Sequence, residues 1–199
     1  MDAFESLVTS LLERQGFWVR SSFKVELTKD EKKQIGRPSS PRWEIDLVAY
    51  KGGSNDLFAI ECKSYLDSRG VSISAFNGTD ESFAARFKLF TEPLLRKVVL
   101  NRLVQQLQGR KAIAKRPKVT LCLVAGKIVS EGDRAQIQDH FKKNGWLFWD
   151  DKWLRDSLKS AAEGGYENDI ADVVAKLLLR GGDGGANSGV HPTPASGRG

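Results

Sequence analysis

Histidine and cysteine are scarce in this chain. Two histidines, His140 and His191, stand among 199 residues, too few to build a zinc finger or a histidine-based nuclease centre. The only cysteines, Cys62 and Cys122, each lie inside an apolar run. They read as small buried residues of a reducing compartment, not as a disulfide framework. Long apolar runs are also missing: nothing approaches the roughly 18 uninterrupted apolar residues that a membrane span needs. The first residues do not have the charged-then-apolar pattern of a secretory leader. A soluble, cytoplasmic protein with no membrane partner is therefore expected. No internal repeat is visible. "AGK" at 125–127 lacks the glycine and the Ser/Thr of a phosphate-binding P-loop, which sets an ATPase aside.

What is present suits a folded domain. Apolar residues make up 40% of the chain, enough at this length to bury a sizeable core. The net charge of +6 is uneven, because residues 82–118 hold ten Lys or Arg and one acid, Glu92. Such a block either attracts a polyanion or serves as a solvated helix face.

The order of elements follows from periodicity. Asp2 with Glu5 resembles a capping box, and Phe4, Leu7, Val8, Leu11 and Leu12 mark one helical face that ends at Gly16. Residues 17–27 read as a strand, and "TKDEKKQIGRPSSPR" as a loop without regular structure. "WEIDLVAY" and "LFAIECKS", joined by "KGGSND", read as an antiparallel hairpin. Residues 65–93 read as a long irregular insertion. A helix over 94–113, the strand "KVTLCLVAG", a helix over 130–143, the short strand "WLFWD" and further helices to Arg180 follow. Trp146, Phe148, Trp149 and Trp153 read as core packing. The order is α/β, a sheet covered by helices on both faces. The domain is expected over 1–180, with 181–199 as a disordered, low-complexity tail.

Within the hairpin, residues two apart share a face. Glu44 and Asp46 are thus expected on one side of their strand, and Glu61 and Lys63 on one side of theirs. Two carboxylates about 4 Å apart repel by roughly 4 kcal/mol at an effective dielectric near 20. A cation must sit between them or one will protonate. Lys63 could serve, and so could Mg²⁺, which takes oxygen ligands and needs only one or two protein carboxylates.

These residues resemble the PD-(D/E)xK nuclease superfamily: "EIDLVAY" supplies the first acid, Asp46, and "IECKS" the Glu61-x-Lys63 pair. "FESLVTSLLERQGFWV" resembles the family's first helix, which often carries another acid, here Glu5. The likeness covers about residues 3–150 and is nearest to Holliday-junction resolvases and type IV restriction-like nucleases. It implies a restriction-endonuclease-like αβββαβ core, with a mixed central sheet flanked by helices. It also implies a metal-dependent endonuclease acting on double-stranded or branched DNA. Asp46, Glu61 and the backbone carbonyl of Cys62 would hold Mg²⁺ or Mn²⁺, and Lys63 would orient the attacking water and stabilise charge. Glu5 would either assist catalysis or simply cap its helix. Ile45 stands where the family's name has proline, and Glu44 is a rival ligand. A glutamine on the following helix often lines the site in related nucleases, which points to Gln105, Gln106 or Gln108.

Phosphate contacts are expected from Lys32, Lys33, Arg37 and Arg42 before Asp46, and from Arg86, Arg96, Lys97, Arg102, Arg110 and Lys111 after Lys63. Cuts on opposite strands would call for a symmetric homodimer. The competing readings are a non-catalytic DNA-binding module on the same fold and a protein-interaction domain whose basic helix meets an acidic partner.

Overall fold

The computed structural model describes residues 2–40, 42–163 and 173–176. The expected last helix, apart from 173–176, and the expected tail lie outside them. Helix α1 (Ala3–Arg14) begins where the Asp2 carboxylate accepts the Glu5 amide at 2.8 Å. Strands β1 (Trp18–Val25), β2 (Trp43–Lys51) and β3 (Asp56–Lys63) follow as antiparallel neighbours. Helix α5 (Pro93–Gly109) then carries the chain over to β4 (Lys118–Ala125), which runs parallel to β3. Helix α6 (Glu131–Asn144) leads to β5 (Leu147–Trp149), and α7 (Asp151–Glu163) follows. The five strands form one mixed sheet in the order β1-β2-β3-β4-β5. No helix of the described residues is long and apolar enough to cross a membrane.

Both sheet faces are covered, as the α/β pattern predicts. On one face Phe23, Val48, Leu57, Ala59 and Leu121 pack against Leu95, Val99 and Leu103 of α5 and Phe141 of α6. On the other, Leu47, Ala49, Ile60, Cys122 and Val124 pack against Val8, Leu11 and Leu12 of α1 and Leu154 of α7. Trp146 and Phe148 join the first core, whereas Trp149 and Trp153 join the second, their rings stacked at 4.7 Å. Removing such apolar area from water is the main force that holds the layers together.

Two expectations need correction. The polar segment after β1 contains helix α2 (Lys29–Gln34), because the Thr28 hydroxyl accepts the Glu31 amide while the Glu31 carboxylate accepts the Thr28 amide. This reciprocal cap satisfies donors that a short helix otherwise leaves open. Residues 65–92 are also ordered. They carry a 3₁₀ turn (Ile73–Ala75) and the short helices α3 (Glu81–Ala84) and α4 (Lys88–Thr91). Phe76 of this segment meets Phe87 and Phe90 edge to face, and Phe76 and Phe90 close on Phe141, so the segment builds core.

Candidate metal and phosphate site

Strand β3 turns from apolar to charged without leaving its face. Leu57 and Ala59 point into the α5-side core, and Glu61 and Lys63 continue the same alternation. The Lys63 ammonium lies 2.7 Å from Glu61 Oε1, with side-chain exposures of 20% and 16%. It also lies 5.9 Å from the ring centre of Phe87, so an aromatic wall backs the pair.

Asp46 reaches the same place by a different route. Ile45 belongs to one core and Leu47 to the other although they are two residues apart, so alternation breaks at Asp46. The residue opposite, Ser22, sits between the pairs Ser21↔Leu47 and Phe23↔Ile45 and has φ 48, a left-handed conformation that interrupts the pairing with β2. The β2–β3 ladder ends at Leu47↔Ile60. Beyond it the Asp46 carboxylate itself accepts the Cys62 amide at 2.7 Å, replacing the backbone partner that β2 no longer supplies. Glu44, expected beside Asp46, is exposed on the surface, and its charge adds to the rise in the Asp46 pKa.

Electrostatics follow from this crowding. Burial raises the pKa of Asp46, against the opposing effects of the Cys62 amide and Lys63. Burial also raises Glu61, with Asp46 adding to it and Lys63 opposing. Burial disfavours the charge on Lys63, yet the Glu61 carboxylate outweighs it and the ammonium stays protonated above its ordinary range. Glu5, on α1, is raised by burial and then by Asp46. The Cys62 thiol is pushed up by burial and by Asp46, Glu5 and Glu61 together, which leaves it a poor metal ligand.

The donor set decides which ion the place could take. Among the described residues no three His, Cys, Asp or Glu side chains form a metal cage; the site offers two carboxylates, Asp46 and Glu61. A residue's N–H and C=O point to the same side of a strand, so the Cys62 carbonyl faces the opening where its amide meets Asp46. Two carboxylates and a carbonyl suit a hard cation that keeps waters, such as Mg²⁺. They do not suit Zn²⁺, which wants imidazole or thiolate.

The expected phosphate-binding residues divide into two groups. Arg102 makes a bidentate pair with Glu31 at 2.8–3.0 Å, and Arg37 binds both oxygens of Glu92 at 2.7 Å. Arg96 donates to the carbonyls of Leu89 and Phe90 and lies over Trp146, while Lys32 donates to the Ser40 carbonyl. These cations hold the fold. Lys33, Lys97, Arg110 and Lys111 are exposed. Arg42, 3.7 Å from Glu26, lines a surface cleft with Trp43, Glu44 and Lys88. Two of the three glutamines are engaged elsewhere. Gln106 bonds the Glu26 amide and the Lys24 carbonyl at the end of β1, Gln108 donates to the Ala114 carbonyl, and Gln105 is exposed. The aromatic wall of Phe83 and Phe87 was not anticipated, although the spacing of Phe76, Phe83, Phe87 and Phe90 gives a helical signal.

Comparison with protein-family models, curated proteins and solved structures returns no match.

Proposed function

We propose that this chain is a metal-dependent endonuclease of the PD-(D/E)xK type that hydrolyses DNA phosphodiester bonds. One observation supports the reading: Lys63 pairs with Glu61, the Cys62 amide between them holds the Asp46 carboxylate where the β2–β3 ladder ends, and Asp46 is close enough to feel the charges of both. Lys63 offsets part of the repulsion between the two acids, yet burial still raises both, a cost that a divalent ion would relieve further. Asp46, Glu61 and the Cys62 carbonyl would hold Mg²⁺ or Mn²⁺, which when bound supplies Lewis-acid polarisation of a phosphate and activation of water.

The protein's own groups take distinct parts. Lys63 stays charged beside Glu61, so it acts as a positive charge facing the phosphate as negative charge builds there, not as a base. Glu5, with its raised pKa, would receive a proton from the attacking water. The exposed Lys33, Lys97 and Lys111 would take phosphates along the strand. Cutting both strands of a duplex would need a second copy of the chain.

The test is incubation of the pure protein with linear, single-stranded and four-way-branched DNA, with and without Mg²⁺ or Mn²⁺, beside Lys63→Ala and Asp46→Ala. We expect metal-dependent cutting that falls at least about a hundredfold in each variant, the usual scale for losing one charge-stabilising group. Salt-sensitive binding without cutting would instead favour a DNA-binding module. Neither binding nor cutting would point to a protein-interaction role.

A further inference from the structure

A second cleft lies immediately beyond Lys63. It encloses about 230 Å³ and is lined by Tyr65, Arg69, Ser74, Phe83 and Arg86, with Asp80 at one side. At roughly 30 Å³ per water that is space for about eight waters, enough for one base with its phosphate at the mouth. The cleft is tied to the proposed catalytic group by a row of rings. Lys63 Nζ is 5.9 Å from the centre of Phe87, Phe87 is 5.5 Å from Phe83, and Phe83 is stacked on Tyr65 at 6.3 Å.

Its walls are held in place by backbone and carboxylate bonds. The Val71 amide donates to the Lys127 carbonyl at 2.9 Å and the Val129 amide to the Val71 carbonyl at 3.0 Å. Asp133 accepts from the Ser72 hydroxyl at 2.7 Å and the Ile73 amide at 2.9 Å. A preformed cleft spares a ligand the cost of ordering it.

The charges inside suit an anion. Arg69 and Arg86 are exposed, and neither forms an ion pair among the described residues. Arg86 lies over Phe83 at 5.8 Å, and the charge of Arg69 helps to lower Asp80 and Asp133. Asp80 Oδ1 accepts the Phe83 amide at 2.9 Å and the Ser82 hydroxyl at 2.8 Å, so two guanidinium groups face one fixed carboxylate and the lining keeps a net positive charge. Guanidinium groups recognise phosphate oxygens in a planar fork, and aromatic faces stack bases of any sequence. A base inside a duplex is covered on both faces by its neighbours and cannot offer one to a ring.

We propose that this cleft binds one unpaired nucleotide of the DNA strand, its phosphate on Arg69 and Arg86 and its base on the Phe83–Tyr65 rings. The role rests on the nuclease reading and narrows it to DNA with an unstacked base beside the cut bond: a flap, a loop, a junction or a single strand.

The experiment uses the full chain and two probes, a duplex with a single-stranded flap bearing 2-aminopurine at its first unpaired position, and the fully paired counterpart. Binding is read by anisotropy and 2-aminopurine fluorescence in chelator, and cutting is read separately in Mg²⁺ and Mn²⁺. The wild type should quench the 2-aminopurine and bind the flap roughly tenfold tighter than the duplex, the order expected of one base–ring stack. Phe83→Leu should lose the quenching. Because that change touches Phe87, the exposed pair Arg69→Gln/Arg86→Gln serves as a second variant, and its preference for the flap should fall to within about twofold. Cutting without quenching, with the same flap preference in wild type and both variants, overturns the cleft and leaves the nuclease standing. Quenching and flap preference without cutting in either ion supports the cleft and overturns the nuclease.

Discussion

Asp46 is held in position by an interruption and Glu61 by regularity. The Glu61–Lys63 spacing is legible because a strand repeats every two residues. The turn of Asp46 toward β3 is not, because it depends on the broken alternation opposite Ser22, and nothing in "WEIDLVAY" announces that break. The energetic consequence is testable. An acid whose pKa is raised in the folded state, as burial raises Asp46 above 3.8, binds its proton more tightly folded than unfolded. Stability from that group is present below about 3.8 and is lost as pH rises through the folded pKa. Asp46→Asn keeps an oxygen to accept the Cys62 amide and removes the charge, so in chelator at neutral pH it should melt above the wild type, with the difference closing as pH falls toward 3.8. Mg²⁺ at ten times its Kd should stabilise the wild type by about 1.4 kcal/mol, a few degrees in Tm at this size, and leave Asp46→Asn unmoved. Equal shifts in both proteins, measured by calorimetry, would remove Asp46 from the metal's ligands.

At the scale of elements, helix α2 is hidden in the sequence because its order comes from a few specific bonds. Helix α2 buries none of its residues, so no apolar period marks it. Its only sequence signal is Thr28 followed three residues later by Glu31, outweighed by the proline, serine and charge around it. Its attachment is the Arg102–Glu31 pair. Burial alone would raise Glu31, but the hydrogen bonds from Arg102 and the Thr28 amide prevail and hold it below its ordinary 4.5. A depressed acid contributes stability above its unfolded pKa and loses it as pH falls through the folded one, the reverse of Asp46. Glu31→Gln, which keeps the shape and loses the charge, should therefore cost about 1 kcal/mol at pH 7, with the gap to wild type closing as pH drops well below 4.5. Hydrogen exchange should localise the loss to 28–35. A deficit that persists unchanged at low pH would mean that Gln fails for reasons of packing and not of charge.

For the whole molecule, the layer order, the hairpin and the crossover to β4 were legible because each buries a long apolar pattern on a known face. The basic character was legible as a total but not as a distribution. A sequence counts cations; it does not show which ones already have partners. Arg37, Arg96 and Arg102 are occupied within the fold, whereas Lys97 and Lys111 are exposed on and just past α5, with roughly 18 Å of helix between Lys97 and the helix end at 1.5 Å per residue. Only unoccupied cations can release counterions from DNA, and each contributes close to one unit to the slope of log affinity against log salt. The double variant Lys97→Ala/Lys111→Ala should accordingly flatten that slope by about two units with an unchanged Tm. Arg102→Ala should lower Tm and leave the slope of the folded protein as it was. Anisotropy titrations on a fluorescent duplex between about 50 and 200 mM salt distinguish the two, and an undiminished slope in the lysine variant would mean that DNA does not run along α5.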